Sequence, residues 1–233
     1  MLIAKLLGFI FEVPRFTHKC KVLLERPIRN PRFQEMLMNW PERLWIYSPI
    51  REIFQRREVK KWLKFAEPQK KGVALEIGCG LGRGARLMID KMGFSEVVAF
   101  DLEEILVRRA RFLTPVRLRR NIAYYVGDAQ YLPFPDDSFD AIVNFGIIHH
   151  VLDWRQCLRE ISRTLRKGGT FYFEEIYPPL YANFILKPLL RHPTEDRFSE
   201  KEFLHEFKQN RLELIDGFET GSRFGIVAAA KKT

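Results

Sequence analysis

Residues 73–84, Val73-Ala74-Leu75-Glu76-Ile77-Gly78-Cys79-Gly80-Leu81-Gly82-Arg83-Gly84, decide how this chain folds. An apolar run of strand formers stops at alternating glycines, and Ala85-Arg86-Leu87-Met88-Ile89 then reads as the opening of a helix. Such a turn needs glycine because the backbone takes positive φ and approaches a ligand with no Cβ in the way. The helix start behind it offers unpaired N–H groups and a partial positive charge. A dinucleotide turn has glycines too, but counting G-x-G-x-x-G from Gly78 puts Arg83 where the third glycine belongs. Counting from Gly80 gives G-x-G-x-x-A, ending at Ala85, in a register that starts beyond the strand's end at Ile77. Glu76 separates the readings. Its carboxylate repels a pyrophosphate and attracts a ligand that carries an ammonium and a sulfonium cation.

Working outward, Glu96-Val97-Val98-Ala99-Phe100-Asp101 is a second strand that ends in an acid. Asp101 lies about 20 residues beyond the glycines, where a carboxylate can accept both ribose hydroxyls of a nucleoside, with Leu102 beside it. Residues 122–126 form a third strand, followed by Gly127-Asp128-Ala129, where an acid next to a small residue can accept an adenine's exocyclic amine. Residues 140–144 form the fourth strand, with Asn144, Phe145 and Gly146 at its end, then His149 and His150. A helix over about 153–166, stopped by Gly168-Gly169, leads to a fifth strand over 170–174. This alternation predicts an α/β fold with parallel βαβ units, whose ligands bind at the carboxyl ends of the strands. Glu76, Asp101, Asp128 and Asn144 all fall at such ends. With the acid on the first strand, that coincidence points to S-adenosylmethionine.

The net charge of +10 is uneven. Residues 1–70 hold 15 Lys/Arg against 7 Asp/Glu, and the remainder 24 against 22. A basic extension suits an anionic membrane surface or nucleic acid, or is a solvated face. Residues 2–13 are apolar except Lys5, Gly8 and Glu12, too short to span a bilayer, and read as an interfacial helix or one packed on the core. Prolines at 14, 27, 31, 41 and 49 break the next stretch, whose aromatics include Trp45 and Tyr47. Residues 51–65 then read as one amphipathic helix with a basic face. The six arginines at 108, 109, 111, 117, 119 and 120 read as a phosphate-binding patch or as a solvated helix face and loop. The three cysteines, Cys20, Cys79 and Cys157, form no C-x-x-C, so a reducing cytoplasmic setting without disulfides or a metal site is expected.

The runs LEIGCGLGRG, VVAFD, GDAQYLPFPDDSFDAIV, HHVLDW and LREISRTLRKGGTFYFEE, within 72–175, resemble class I S-adenosylmethionine-dependent methyltransferases of the ubiquinone/menaquinone methylase group. The resemblance implies that Glu76 and the turn of Gly78, Cys79, Gly80 and Gly82 bind the methionine end, Asp101 the ribose, and Asp128 with Ala129 the adenine edge. It implies that residues Asn144 to Ile147, with Gly146 among them, line the methyl-bearing side. It also implies a Rossmann-like seven-stranded sheet ending in an antiparallel hairpin, here 211–218 and 223–230 joined by 219–222. On this basis residues 71–233 form the methyltransferase domain, and residues 1–70 a helical extension acting as a substrate cap or a membrane or partner contact.

Methyl transfer is an in-line displacement at an activated carbon, so the protein chiefly positions the acceptor and shields the site. His149 or His150 is the candidate base for an acceptor that must lose a proton, with Glu174 and Glu175 as weaker candidates; either histidine alone could instead pack or cap. No Asn/Asp-Pro-Pro-aromatic run follows the fourth strand, which disfavours amine methylation of a flipped base. The flanks 14–50 and 176–198 are placed as a substrate lid, with Trp45, Tyr47, Tyr177 and Tyr181 as its aromatics, so the expected acceptor is a small apolar molecule such as a quinone or lipid. Two rivals stand beside it: an RNA methyltransferase using the basic extension, and a cofactor-binding interaction protein without activity.

Overall fold

The computed structural model describes residues 36–181, 196–217, 219–220 and 224–233. The expected interfacial helix at 2–13, the first part of the proline-broken segment, residues 182–195 of the insertion and part of the hairpin connection lie outside the described residues.

Helix α1 (Trp40–Tyr47) starts on a capping box, Asn39 accepting from the Glu42 N–H while Glu42 accepts from the Asn39 N–H. Ser48 ends it and caps α2 (Pro49–Phe65), whose first residue is a proline already fixed at a helical φ. Strand β1 (Val73–Ile77), α3 (Arg83–Asp90), β2 (Glu96–Asp101), α4 (Glu104–Leu113), β3 (Ile122–Val126) and β4 (Phe139–Phe145) follow. Next come α5 (Trp154–Thr164), β5 (Leu165–Ile176), a helical turn at Pro178–Tyr181, α6 (Glu200–Gln209), β6 (Leu212–Leu214), the two-residue β7 (Glu219–Thr220) and β8 (Gly225–Lys232).

The sheet runs β3-β2-β1-β4-β5-β8-β6, with β7 also paired to β8. Its first five strands are parallel, and β8 and β6 are antiparallel, so the expected seven-stranded sheet with a C-terminal hairpin is the one observed. Two boundaries differ. The helix expected to reach residue 166 stops at Thr164, because buried Leu165 already pairs with Phe139 and Arg166 binds Asp140 at 2.5 Å. Residues 219–220, expected in the hairpin connection, pair with Val227 and Ile226.

Helices cover both faces. On one, Trp154 of α5 and Phe203 and Phe207 of α6 pack on Phe171 and Phe173. On the other, Val59 and Trp62 of α2 share a cluster with Met88 of α3 and Tyr172 of β5. Trp62 is fully buried, its ring centroid 5.1 Å from that of Phe145, and its indole N–H donates to the Phe173 carbonyl at 3.3 Å. Residues 49–65 are therefore a layer of the sheet domain. Arg83, the first residue of α3, donates to the carbonyls of Ile46, Tyr47 and Ser48 at 2.9, 3.1 and 2.7 Å. That guanidinium takes up the orphan carbonyls at the end of α1 and ties the α1–α2 corner to the glycine turn.

Truncating Trp62 removes this packing and leaves a cavity, so Trp62→Ala should lower unfolding free energy by about 3–5 kcal/mol. Urea titration followed by circular dichroism measures it; a loss under about 1 kcal/mol would mean that α2 is not part of the core.

Candidate functional site

The site assembles where β1 and β2 end. Gly78, at φ 72°, and Cys79 both donate their N–H groups to the Phe100 carbonyl, at 2.7 and 3.0 Å. The Gly80 N–H donates to Asp101 Oδ2 at 2.7 Å, and the Glu103 N–H to Oδ1 at 2.9 Å. The turn is thus laced to the end of β2, with Asp101 as the knot. A Cβ on Gly78 would lie 2.3 Å from Cγ2 of Ile147, so the turns after β1 and β4 touch only because residue 78 is glycine.

Beside this turn opens a cleft. Of the residues expected to hold a ligand, Gly78, Asp101, Leu102, Asp128, Ala129 and His150 line it. Burial pushes the Asp101 carboxyl above its usual range despite the backbone bonds it accepts. Asp128 is gripped by Gln130, whose backbone N–H donates to Oδ1 and whose side-chain amide lies 2.9 Å from both oxygens. Gln130 in turn accepts from the Asp153 N–H at 3.0 Å, joining this end of the cleft to the start of α5.

Ile147, expected on the methyl-bearing side, also lines the cleft, and sequence reasoning missed Met36, Met38 and Glu103 on its wall. Glu103 follows Asp101 by two residues and was legible from that spacing. The methionines come from a segment without periodicity, brought over the cleft by Arg43, which donates to the Met38 carbonyl and pairs with Glu103 at 2.6 Å.

Other expected residues stand behind the cleft wall. Glu76 is fully buried directly under the first turn of α3, close to the Ala85 N–H but with no full hydrogen bond to its carboxyl oxygens among the described residues; a Cβ on Gly84 would lie 1.9 Å from Oε1. Burial holds its pKa well above the carboxylate range. Cys79 is buried too, and burial raises its thiol pKa. Gly80 and Gly82 take positive φ within the turn. Asn144 points into the sheet, donating to the Glu174 carbonyl and to Glu175 Oε1 and accepting from the Ile147 N–H. Glu175 also holds the Ile148 N–H and lies 2.7 Å from His149 Nδ1. His149 stacks on Tyr181, with centroids 5.7 Å apart, and touches His150 at 4.4 Å. Tyr177 packs into the core against Phe198, whereas Trp45 is 43% exposed and Tyr47 sits under Arg109.

Residues 75–173 match the family model described as a methyltransferase domain. The uncharacterized methyltransferase YcgJ of Bacillus subtilis is 33% identical over 66% of this chain and 62% of its own length. Its crystal structure superposes with a TM-score of 0.59, covering 68% of this chain and 69% of that one at 28% identity. Residues 75–173 thus carry a methyltransferase domain, and the sheet around them has the fold of the YcgJ structure. Methyltransferase domains of this family generally use S-adenosylmethionine. A fatty-acid O-methyltransferase of Mycolicibacterium smegmatis is 36% identical over 45% of this chain and 37% of its own. The chain therefore spans under two thirds of the length of these curated relatives. At 19% identity, a chain from the complex of the Haloferax volcanii Trm112 activator with a methyltransferase shares the fold, with a TM-score of 0.63 over 81% of this chain and 96% of that one.

The residues fit such a donor: two acids at adjacent strand ends face one cleft, Gly78 and Gly127 keep its floor free of Cβ atoms, and a buried carboxylate underlies the turn. A second set of acids lies at the ends of β4 and β5. Arg51 of α2 donates to the Phe145 carbonyl at 2.6 Å and pairs with Glu58 at 3.1 Å and Glu174 at 3.6 Å. Burial, reinforced by neighbouring Glu58 and opposed by Arg51, pushes the Glu174 carboxyl up to about 8.

A folded-state pKa above the unfolded value means that the fold keeps a proton which the unfolded chain has released. This contribution is fully present below about 4.5 and is lost as pH rises towards about 8. Thermal melts of the parent should fall across that window, and Glu174→Gln should flatten the decline. An unchanged slope would assign the ionisation elsewhere.

Proposed function

We propose that the protein transfers a methyl group from S-adenosylmethionine to a small apolar acceptor. The observation that carries it is the cleft itself, in which Asp101, Asp128, Glu103 and His150 share a wall with the apolar Met36, Met38, Phe100, Leu102, Ile147 and Val151. In this reading Asp101 accepts from the ribose hydroxyls, and Asp128 with Ala129 meets the adenine edge. Glu76 acts on the cationic methionine end through the glycine turn that it underlies. Asn144 and Gly146 set the turn on the methyl-bearing side.

The donor supplies a methyl already activated by the sulfonium, so the chain's work is to orient the acceptor, exclude water and receive a proton where the acceptor releases one. We assign that proton to the histidine pair. A carboxylate on Nδ1 of His149 keeps a proton there and makes Nε2 the basic nitrogen, with Glu175 and Asn144 as positioning residues. Tyr47, Tyr177 and Tyr181 belong to the segments that close over the acceptor, while Trp45, also expected there, packs outward on Phe54. That relatives include a fatty-acid O-methyltransferase and phthiotriol/phenolphthiotriol dimycocerosates methyltransferases supports an apolar acceptor. Five of the six clustered arginines on which the RNA reading draws already have partners in the fold. Arg108 pairs with Glu104 and Arg117 with Asp90, Arg111 and Arg119 bond to backbone carbonyls, and Arg109 covers Tyr47.

Asp101→Ala should weaken S-adenosylmethionine binding by about tenfold or more, the scale of losing hydrogen bonds to a charged group. Calorimetry on variants whose melting is still cooperative reads this directly, and parental affinity would refute the ribose assignment. Incubating the protein with methyl-labelled S-adenosylmethionine and cell extract, then separating lipid, RNA and protein, tests the acceptor. Label should enter the apolar small-molecule fraction; label in RNA would overturn the assignment, and binding without transfer would favour a non-catalytic role.

A further inference from the structure

The corner between α1 and α2 carries an apolar surface that the core does not use. Trp40, Leu44 and Trp45 are 71, 59 and 43% exposed, and Ile50, Ile53 and Phe54 are 52, 51 and 42% exposed. Their spacing puts each trio on one side of its helix, and the Trp45 and Phe54 rings, 5.4 Å apart, join the two sides. The core-facing residues of α2 are different ones, Gln55, Glu58, Val59 and Trp62.

The charges along α2 are segregated. Its exposed charged residues are Arg56, Arg57, Lys60 and Lys64, and Arg57, Lys60 and Lys64 continue the line of Ile50 and Ile53 at intervals of three and four. The acids are withdrawn: Glu42 and Glu58 are buried, and Glu52 pairs with Arg56. An apolar tip with tryptophans, followed by a purely basic strip, complements a surface that is anionic outside and apolar beneath. A protein partner of ordinary mixed charge would not require acids to be absent from this face.

We propose that the α1–α2 corner docks on an anionic lipid surface, Trp40, Leu44, Trp45, Ile50, Ile53 and Phe54 entering the headgroup layer and Arg57, Lys60 and Lys64 resting on lipid phosphates. The corner is coupled to the cleft by Arg43, which holds Glu103 and the Met38 carbonyl, and by Arg83, which holds the end of α1. Docking therefore brings the cleft to the surface where an apolar molecule resides. The contact itself does not depend on the methyl-transfer reading and is measured without cofactor.

The test is co-sedimentation of the full chain with vesicles of phosphatidylcholine alone or with about one third phosphatidylserine. Binding is expected to the anionic vesicles, at least about tenfold weaker to the neutral ones, and weakened at high salt as the screening length falls from about 10 Å at 0.1 M to about 3 Å at 1 M. Leu44→Glu/Ile53→Glu should cut partitioning about tenfold or more with an unchanged melting temperature, and Lys60→Glu/Lys64→Glu should remove most of the salt sensitivity. Failure of the parent to bind anionic vesicles overturns the proposal. So does parental binding by both double variants, which would place the contact elsewhere in the chain. If light scattering shows a dimer that Leu44→Glu/Ile53→Glu dissociates, the face joins two copies and the lipid assignment falls.

Discussion

Buried carboxylates crowd one edge of a parallel sheet, and much of the remaining structure answers that constraint. Glu76, Asp101, Glu58 and Glu174 lie at or beside the carboxyl ends of the strands, and burial raises the pKa of each. An ionised group in such a setting costs several kcal/mol unless it is paired or hydrogen-bonded. The compensation differs from acid to acid. Asp101 takes backbone N–H groups, Glu58 and Glu174 share Arg51, and Glu76 has only the start of α3 above it. A ligand that brings donors and positive charge to this edge relieves a cost already present in the fold, which links affinity for such a ligand to stability.

Arg51 and Arg83 explain why α1 and α2 belong to this edge. Both guanidiniums bond to carbonyls at the ends of elements: Phe145, the last residue of β4, and Ile46, Tyr47 and Ser48 at the end of α1. Arginine suits both places because its planar fork serves several acceptors at once and keeps its charge when partly buried. Trp62 adds the apolar contact that fixes the helix across β4 and β5. Among the described residues of the basic segment, Arg43 and Arg51 hold the site together and Arg57, Lys60 and Lys64 face outward.

What could be read from the chain was what is local. The glycine turn, the acids at the ends of β2 and β3 and the parallel order follow from short runs in which residue type and backbone demand coincide, and Asp101 and Asp128 do face one cleft. Long-range pairing was not legible. Nothing near Asn144 announces that its amide is taken by Glu175 on the next strand, so that it braces the turn from within. The six arginines left a phosphate patch and a solvated face both open, because a partner such as Asp90 for Arg117 lies 27 residues away. The start of β5 was hidden by Gly168-Gly169, which read as a helix stop. The strand runs through both, with Gly168 at φ 74° and a register shift between Phe139 and Ala141 taking up the irregularity.

The two charge systems then act on different scales. The acids at the sheet edge are buried and close-packed, so their field is short-ranged in effect and selects among ligands already in the cleft. The outward cations of α2 lie in water, where each is worth little alone, but they sit on one strip with no exposed acid between them. In the proposed lipid contact such a strip would orient the whole molecule towards an anionic surface without altering what the cleft recognises. Separating recognition from delivery in this way would leave the acceptor of the proposed reaction to be chosen by the apolar wall of the cleft and by where the molecule is held.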